Sequence, residues 1–470
     1  MKRLIGLFYL LILLTINTLA QDNQKIQINI DHYKDSSLLL TSYYGNKIRL
    51  IDTSYSNNGK FTFDYDSMLP GGIYMAVSKQ KTKLFEFIVN GEKKVIFHTD
   101  TSEYIQNMKI KGSKENTTFI DYVKFNEGIF RQSKKINDKL EKFKEDKELE
   151  IKLKHQLDSL TKVSIDYKLN LIESESELFV SKLIASMQDV KIPEKILESK
   201  DSSYIYRYYK QHFWDNLDLS DSRFLRTPML DKKVKEYFDK LVLIHPDSVI
   251  NNIDLLINKA RKSRDNYSYL LWHFIQEYQN PKYMGFDNVF VHLVESYFDN
   301  PDYNITNNTP SVRKTLKERS DIIKPLLLGS KAPDLILIDT AGAYTSFNHI
   351  KNNYLVILFY DYECGICKNE IKYLTENMPA WNYDVGVFAV NVNGDLNKWK
   401  EFIAEHKIQN WNNVNGTRSV TADFHDVYDI YGTPVIYLLD ENRKIIAKRM
   451  GAEQIVSIIE RNEKNKNDTK

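Results

Sequence analysis

Cys364 and Cys367 are the only cysteines in this chain of 470 residues, and they stand three positions apart. Two cysteines placed at random would fall at that spacing about once in 200 arrangements, so the pairing is a feature to be explained. An apolar run from Tyr354 to Tyr360 comes shortly before them and reads as a central, fully buried strand. Helix signals follow at about Gly365 to Asn377. Cys364-Gly365-Ile366-Cys367 is therefore expected at a strand-to-helix turn, with a thiol at the helix's N-terminus. There the unpaired backbone N–H groups and the positive end of the helix dipole favour thiolate over thiol. Cys364 is then the expected nucleophile. Cys367, one turn later, reaches the same sulfur and is the expected resolving thiol of a mixed disulfide.

Other chemistries fit the pair less well. Zinc needs four ligands, and there is no second cysteine pair; His349, His406 and His425 lack metal-ligand spacing, so no metal site is expected. Covalent haem attachment needs His directly after the second cysteine, where Lys368 stands. A purely structural bond between the two cysteines closes too short a loop to stabilise much. No cofactor beyond the thiols is expected.

The compartment bears on this reading. Lys2 and Arg3 precede an apolar run, Leu4 to Leu14, and Thr18-Leu19-Ala20 supplies small residues at a cleavage site, so residues 1–20 read as a secretory signal with Gln21 starting the mature chain. The apolar run is short for crossing ~30 Å of hydrocarbon, and no later stretch approaches spanning length. The expected product is exported, soluble and periplasmic, in a compartment where thiols are redox-active groups. The 65 basic and 63 acidic residues give +2, and loss of Lys2 and Arg3 leaves 63 of each. A neutral chain has no electrostatic reason to bind nucleic acid or an anionic membrane. At 42% apolar and 27% charged residues it has the composition of a globular protein.

Three regions must position the thiols. Residues 21–115 alternate with period two, as in Lys25–Ile30, Lys60–Tyr65 and Lys94–Phe97, with turn signals at Asn57-Asn58-Gly59, Pro70-Gly71-Gly72 and Asn90-Gly91. This predicts a small antiparallel sandwich or barrel; His98 and Asp100 read as edge or turn residues. Residues 116–328 lengthen to helical spacing, with long, exposed, charged helices between Phe125 and Ile172. Aromatic segments at 204–214 and 267–274 read as helix packing in an all-α domain, with His212 and His273 packed among them. His245-Pro246-Asp247 reads as a helix-start turn, and Ser311 to Leu328 as a charged helix ended by Gly329. Residues 329–470 alternate strands and helices. Strands are expected at Leu335–Ile338, Tyr354–Tyr360, Val385–Asn391, Pro434–Leu439 and Lys444–Lys448. Helices are expected at Gly365–Asn377, Leu396–His406, Ser419–Tyr428 and Ala452–Arg461, with a frayed tail from Asn462. The fold class is thus multidomain: an all-β sandwich or barrel, an all-α domain and a C-terminal α/β domain.

The residues Gly329-Ser330-Lys331-Ala332-Pro333, the strand before Cys364, the CxxC helix and Tyr431-Gly432-Thr433-Pro434-Val435 resemble a TlpA/ResA-like thioredoxin domain, related also to the AhpC/TSA branch. That resemblance implies a cis peptide before Pro434, beside the CxxC, leaving a backbone edge at Thr433 for substrate; Gly365 and Ile366 would line the same surface. It also places a Glu three residues after the second cysteine, here Glu370, where a carboxylate would tune the thiols or shuttle a proton. The chain departs from the pattern at Glu363, which replaces the usual Trp and opposes the helix dipole, and at Leu358, which replaces thioredoxin's buried Asp. Ile366 stands where strong oxidants carry His, which argues for a reductant or a mild exchanger. The Thr and Arg constellation of a peroxidase is missing around Cys364. Residues 25–115 and the helical region, with Phe213-Trp214-Asp215-Asn216 and Leu225-Arg226-Thr227-Pro228, are similar to domains that precede thioredoxin domains in exported Bacteroidetes proteins.

The sequence thus implies an exported thiol–disulfide oxidoreductase acting on protein disulfides as a reductant, re-reduced by a membrane thiol donor of the DsbD type. The alternative is a binding or scaffold protein whose thiol pair is a redox sensor or catalytically weak.

Overall fold

The computed structural model describes residues 23–143 and 145–468. The expected signal segment, residues 1–20, lies outside them. The chain forms two compact units. One holds the described chain up to Val242 together with Leu255–Tyr269, and the other holds Leu243–Asp254 and the chain from Leu270 onward.

In the first unit, eight strands make two four-stranded sheets. The strands are β1 (Gln24–Asp31), β2 (Ser37–Tyr44), β3 (Lys47–Tyr55), β4 (Lys60–Tyr65), β5 (Gly72–Ser78), β6 (Lys83–Val89), β7 (Lys94–Asp100) and β8 (Lys109–Lys111). Their orders are β4-β1-β7-β8 and β3-β2-β5-β6. Period-two alternation buries Ile26, Ile28 and Ile30 on one face of β1. Phe85 and Phe87 of one sheet meet Phe97 of the other at ring-centroid distances of 6.1 and 4.8 Å, the core of a sandwich. One pairing differs from the antiparallel expectation: β1 and β7 run parallel, Ile26 opposite Val95. His98 and Asp100 lie at the end of β7, which is flanked by β1 and β8 and so is not the edge strand their reading implied; His98 Nε2 lies 3.0 Å from Asp31 Oδ2 on the exposed face.

Long helices follow at Lys114–Lys142 and Lys147–Ser174. The first is tied to the sandwich by buried Asn116, whose side chain accepts from Ile88 N–H and donates to Ile88 O, each at 2.7 Å. The aromatic segments resolve unevenly. Phe213, Trp214, Leu270, Leu271 and Phe274 are buried, but Tyr204 and Tyr206 are exposed. His212 and His273 are half-buried, paired with Asp215 at 2.6 Å and Glu277 at 3.7 Å. Each ring is also packed against an aromatic neighbour, His212 on Tyr208 at 4.1 Å and His273 on Phe274 at 5.2 Å between centroids. Pro246 opens the helix Pro246–Ala260, as the turn at His245 implied.

In the second unit, seven strands form one mixed sheet in the order β10-β9-β13-β12-β11-β14-β15. They are β9 (Ile336–Asp339), β10 (Tyr344–Ser346), β11 (Tyr354–Tyr360), β12 (Val385–Asn391), β13 (Asn412–Ser419), β14 (Val435–Leu439) and β15 (Ile445–Lys448). All seven residues of β11 are buried, because both faces of the sheet are covered. Val356, Leu358 and Tyr360 face a core with Ile371 and Trp399, and Leu355, Ile357 and Phe359 face another with Phe424 and Tyr428. The helix Gly365–Asn377 follows β11 directly. Two expectations need correction. The segment expected to be helical from Ser419 to Tyr428 holds only a short helix, Phe424–Val427, and Ser419 ends strand β13, which has no apolar alternation to announce it. The tail does not fray at Asn462: the last helix runs Ile455–Asp468, held by a Tyr354 hydroxyl that donates to Glu463 and by Lys466 paired with Glu441 at 2.8 Å.

Candidate active site

The thiols sit where β11 gives way to its helix. Past Tyr360 the chain turns through Asp361, whose Oδ1 accepts from Glu363 N–H and from the Asn393 side-chain amide, both at 2.6 Å, and whose carbonyl accepts from Cys364 N–H at 3.1 Å. This Asx-type turn delivers Cys364 to the N-cap of Gly365–Asn377 with extended backbone, φ −76° and ψ 117°. Its Sγ accepts the Cys367 N–H at 3.3 Å, so a sulfur does the work an N-cap oxygen does elsewhere. The same sulfur lies 3.6 Å from the Thr433 carbonyl, to which the protonated thiol donates. Both cysteines are free.

The two thiols are electrostatically unlike. Burial pushes Cys364 up, but hydrogen bonds from the Cys367 thiol and from the backbone N–H groups of Cys367 and Ile366 outweigh it and hold the group below the ordinary thiol value. Cys367 has no exposed surface. Burial first, and then its hydrogen bond to Cys364, push it up to about 12.

Other sequence-selected residues fall around this pair to different extents. The Thr433–Pro434 peptide is cis. β14 begins one residue later and pairs antiparallel with β11, Val435 opposite Phe359, which brings the loop beside the Cys364 turn. Gly365 is exposed, and a Cβ there meets nothing within 4 Å. Ile366 is 63% exposed. Together they leave the helix mouth uncovered by their own side chains. Glu370 Oε2 accepts from Ala452 N–H at 2.7 Å, and among the described residues no hydrogen bond joins its carboxylate to either sulfur. Glu363 is paired with Lys398 at 3.2 Å, which offsets its opposition to the helix dipole. Leu358 is fully buried in the core that holds Cys367.

Sequence reading missed the supports of the turn. Asp361 was legible as a turn-forming residue after a strand. Asn393 was not, because it arrives from the loop after β12. Buried Tyr360, whose hydroxyl accepts from Trp399 Nε1 at 2.9 Å, interacts electrostatically with Cys367, and the pairing depends on a helix 39 residues away. Among the described residues no group of three or more His, Cys, Asp or Glu is placed to hold a metal ion.

Comparison with known proteins places this geometry. Residues 328–448 match the AhpC/TSA family, residues 24–119 match a domain of unknown function (DUF4369) and residues 131–321 match a second (DUF5106). A solved domain of a possible thiol-disulfide isomerase from Cytophaga hutchinsonii is 37% identical, over 31% of this chain and 99% of its own, with a TM-score of 0.28. Residues 328–448 thus belong to the AhpC/TSA family, as a thioredoxin-like domain. Also similar are a thiol:disulfide interchange protein from a Bacteroides species, at 30% identity over 28% of this chain and 88% of its own with a TM-score of 0.26, and the thioredoxin domain of a thiol-disulfide oxidoreductase from Bacteroides vulgatus, at 29% identity over 28% and 96% with a TM-score of 0.26. No curated protein matches the chain. In this thioredoxin-like protein, among the described residues, no helix is long and apolar enough to cross a membrane.

Proposed function

We propose that this thioredoxin-like protein exchanges disulfides with protein substrates through Cys364 and Cys367, and acts as a reductant in an exported compartment. The observation that carries the reading is the asymmetry of the two thiols, one partly exposed and held low, the other sealed and pushed up to about 12. The Cys364 thiolate attacks a substrate S–S bond, forming a mixed disulfide and releasing one substrate thiolate. Cys367 then gives its proton to solvent or to that departing thiolate and attacks Cys364 Sγ. The Cys364–Cys367 bond forms, the mixed disulfide breaks, and the second substrate thiolate leaves. The substrate gains two electrons and the chain loses two. Once Cys364 is in the mixed disulfide, its hydrogen bond to Cys367 and its charge no longer oppose Cys367 ionisation, so the resolving thiol is eased at the step that needs it.

Pro434 and Thr433 shape the edge on which the substrate lies, with Gly365 and Ile366 opposite. Glu370 anchors the CxxC helix through Ala452, and its proposed proton relay rests on its place one turn beyond Cys367. Ile366, in the position where oxidants carry His, supports the reducing direction, and a membrane dithiol donor of the DsbD type would restore the reduced pair. Export to the periplasm rests on the signal anatomy of residues 1–20. The division into 21–115, 116–328 and 329–470 is proposed with it.

The test is a Cys367→Ala chain expressed with its leader and resolved on non-reducing gels. Mixed disulfides that vanish on further replacement of Cys364 are expected. A Cys367→Ala chain that carries no covalent partner, and a wild-type chain that reduces no protein disulfide, contradict the reading.

A further inference from the structure

The loop that faces the nucleophile is clamped from outside the AhpC/TSA region. It begins at Asp429, which has φ +57° and a carboxylate only 4% exposed. Left-handed backbone at a non-glycine residue is held by its surroundings. Here the holding groups are two guanidinium ions. Arg319 meets the carboxylate as a fork, Nη1 to Oδ1 and Nη2 to Oδ2, the latter at 2.9 Å. Arg449 donates to the same Oδ2 and, at 2.9 Å, to the Asp429 carbonyl, while its own N–H bonds Ile436 O at 2.8 Å across β14. Arg319 also lies 5.6 Å from the ring centroid of Tyr431, whose side is otherwise 78% exposed. Between these anchors run Ile430, Tyr431, Gly432, Thr433 and Pro434, and the Thr433 carbonyl is the group 3.6 Å from Cys364 Sγ.

Arg319 belongs to the helix Pro310–Ile323, within the segment that matches the second domain of unknown function and ahead of residues 328–448. The thioredoxin fold supplies Asp429 and Arg449, but the planar fork comes from the helical part of the same compact unit. We propose that Arg319 is a positioning residue of the redox site: through Asp429 it fixes the loop that presents Thr433 to Cys364, so that the helical region sets the nucleophile's reactivity. The inference rests on the reading of Cys364 as nucleophile. The Thr433 carbonyl accepts from the protonated Cys364 thiol, so a loop that shifts changes the pH at which the thiolate forms. A bidentate pair is directional, and a lysine keeps the charge without the fork. Arg449 still neutralises Asp429 when Arg319 is removed, so the buried carboxylate is not left alone.

The test uses the full chain, reduced, with Cys364 alkylation by iodoacetamide followed as a function of pH. Arg319→Met should shift the midpoint by about half a pH unit and lower kcat/KM for a model protein disulfide roughly tenfold. Arg319→Lys should fall between the two, and it carries the test if the methionine variant does not fold. A folded variant with a lower melting temperature but an unchanged midpoint overturns the proposal and leaves Arg319 with a role in stability only. A wild-type chain with no turnover, whose midpoint still shifts in the variant, would sink the functional reading and uphold the positioning role.

Discussion

Glu363 shows how a single residue sets the nucleophile's surroundings. It stands directly before Cys364, where a negative charge disfavours a thiolate, yet its carboxylate is paired with Lys398 at 3.2 Å. Both groups are exposed, so the pairing is screened by solvent and weak. Glu363→Gln removes the remaining opposition. The Cys364 midpoint in an alkylation titration should then fall by about half a pH unit, and a rise or no change would show that Glu363 is electrostatically silent. At this scale the sequence was partly legible. The cysteine spacing announced the pair and the following helix its polarity, because both are local properties. The parts played by Asn393 and by Tyr360 with Trp399 were hidden, since each depends on a contact made only when distant segments fold together. Glu370 shows the reverse difficulty. Its sequence place suggested proton transfer, while its carboxylate holds Ala452 N–H.

At the scale of elements, β11 carries the site. Its alternate residues feed two cores, and its C-terminal end delivers Asp361 and the N-cap cysteine. Leu358 lies in the core beside Cys367 and has no exposed surface. Leu358→Ala should destabilise the chain by about 3 kcal/mol, read as a shift of the urea or thermal midpoint. A change within error would mean that this core relaxes around the gap. Continuous apolar runs made β11, β12 and β14 easy to find. β13 escaped because Asn412–Ser419 contains a single apolar residue, Val414, and its strand state is set by pairing to β12 and β9. The last helix extends past its apolar stripe because ion pairs, not burial, hold its final turns. The parallel pairing of β1 with β7 was likewise out of reach, since alternation fixes which face is buried and says nothing of strand direction.

For the whole molecule, region types followed from the change of period along the chain, from two to helical spacing to alternation. The compact units do not follow that change: the helices after Leu270 fold with the redox sheet. Lys448 on edge strand β15 illustrates this, buried against Asp287 and donating to the Leu326 carbonyl, both from the preceding helical region. The functional account nevertheless comes down to the difference between two sulfurs, and that difference can be measured directly. The reduced full-length chain is titrated with iodoacetamide across pH, and each cysteine is quantified by peptide mass spectrometry. The account predicts that Cys364 is modified with a midpoint below the ordinary thiol value of about 8.5, while Cys367 stays unmodified as long as the chain is folded. Parallel modification of both cysteines, or modification of Cys367 first, would contradict it.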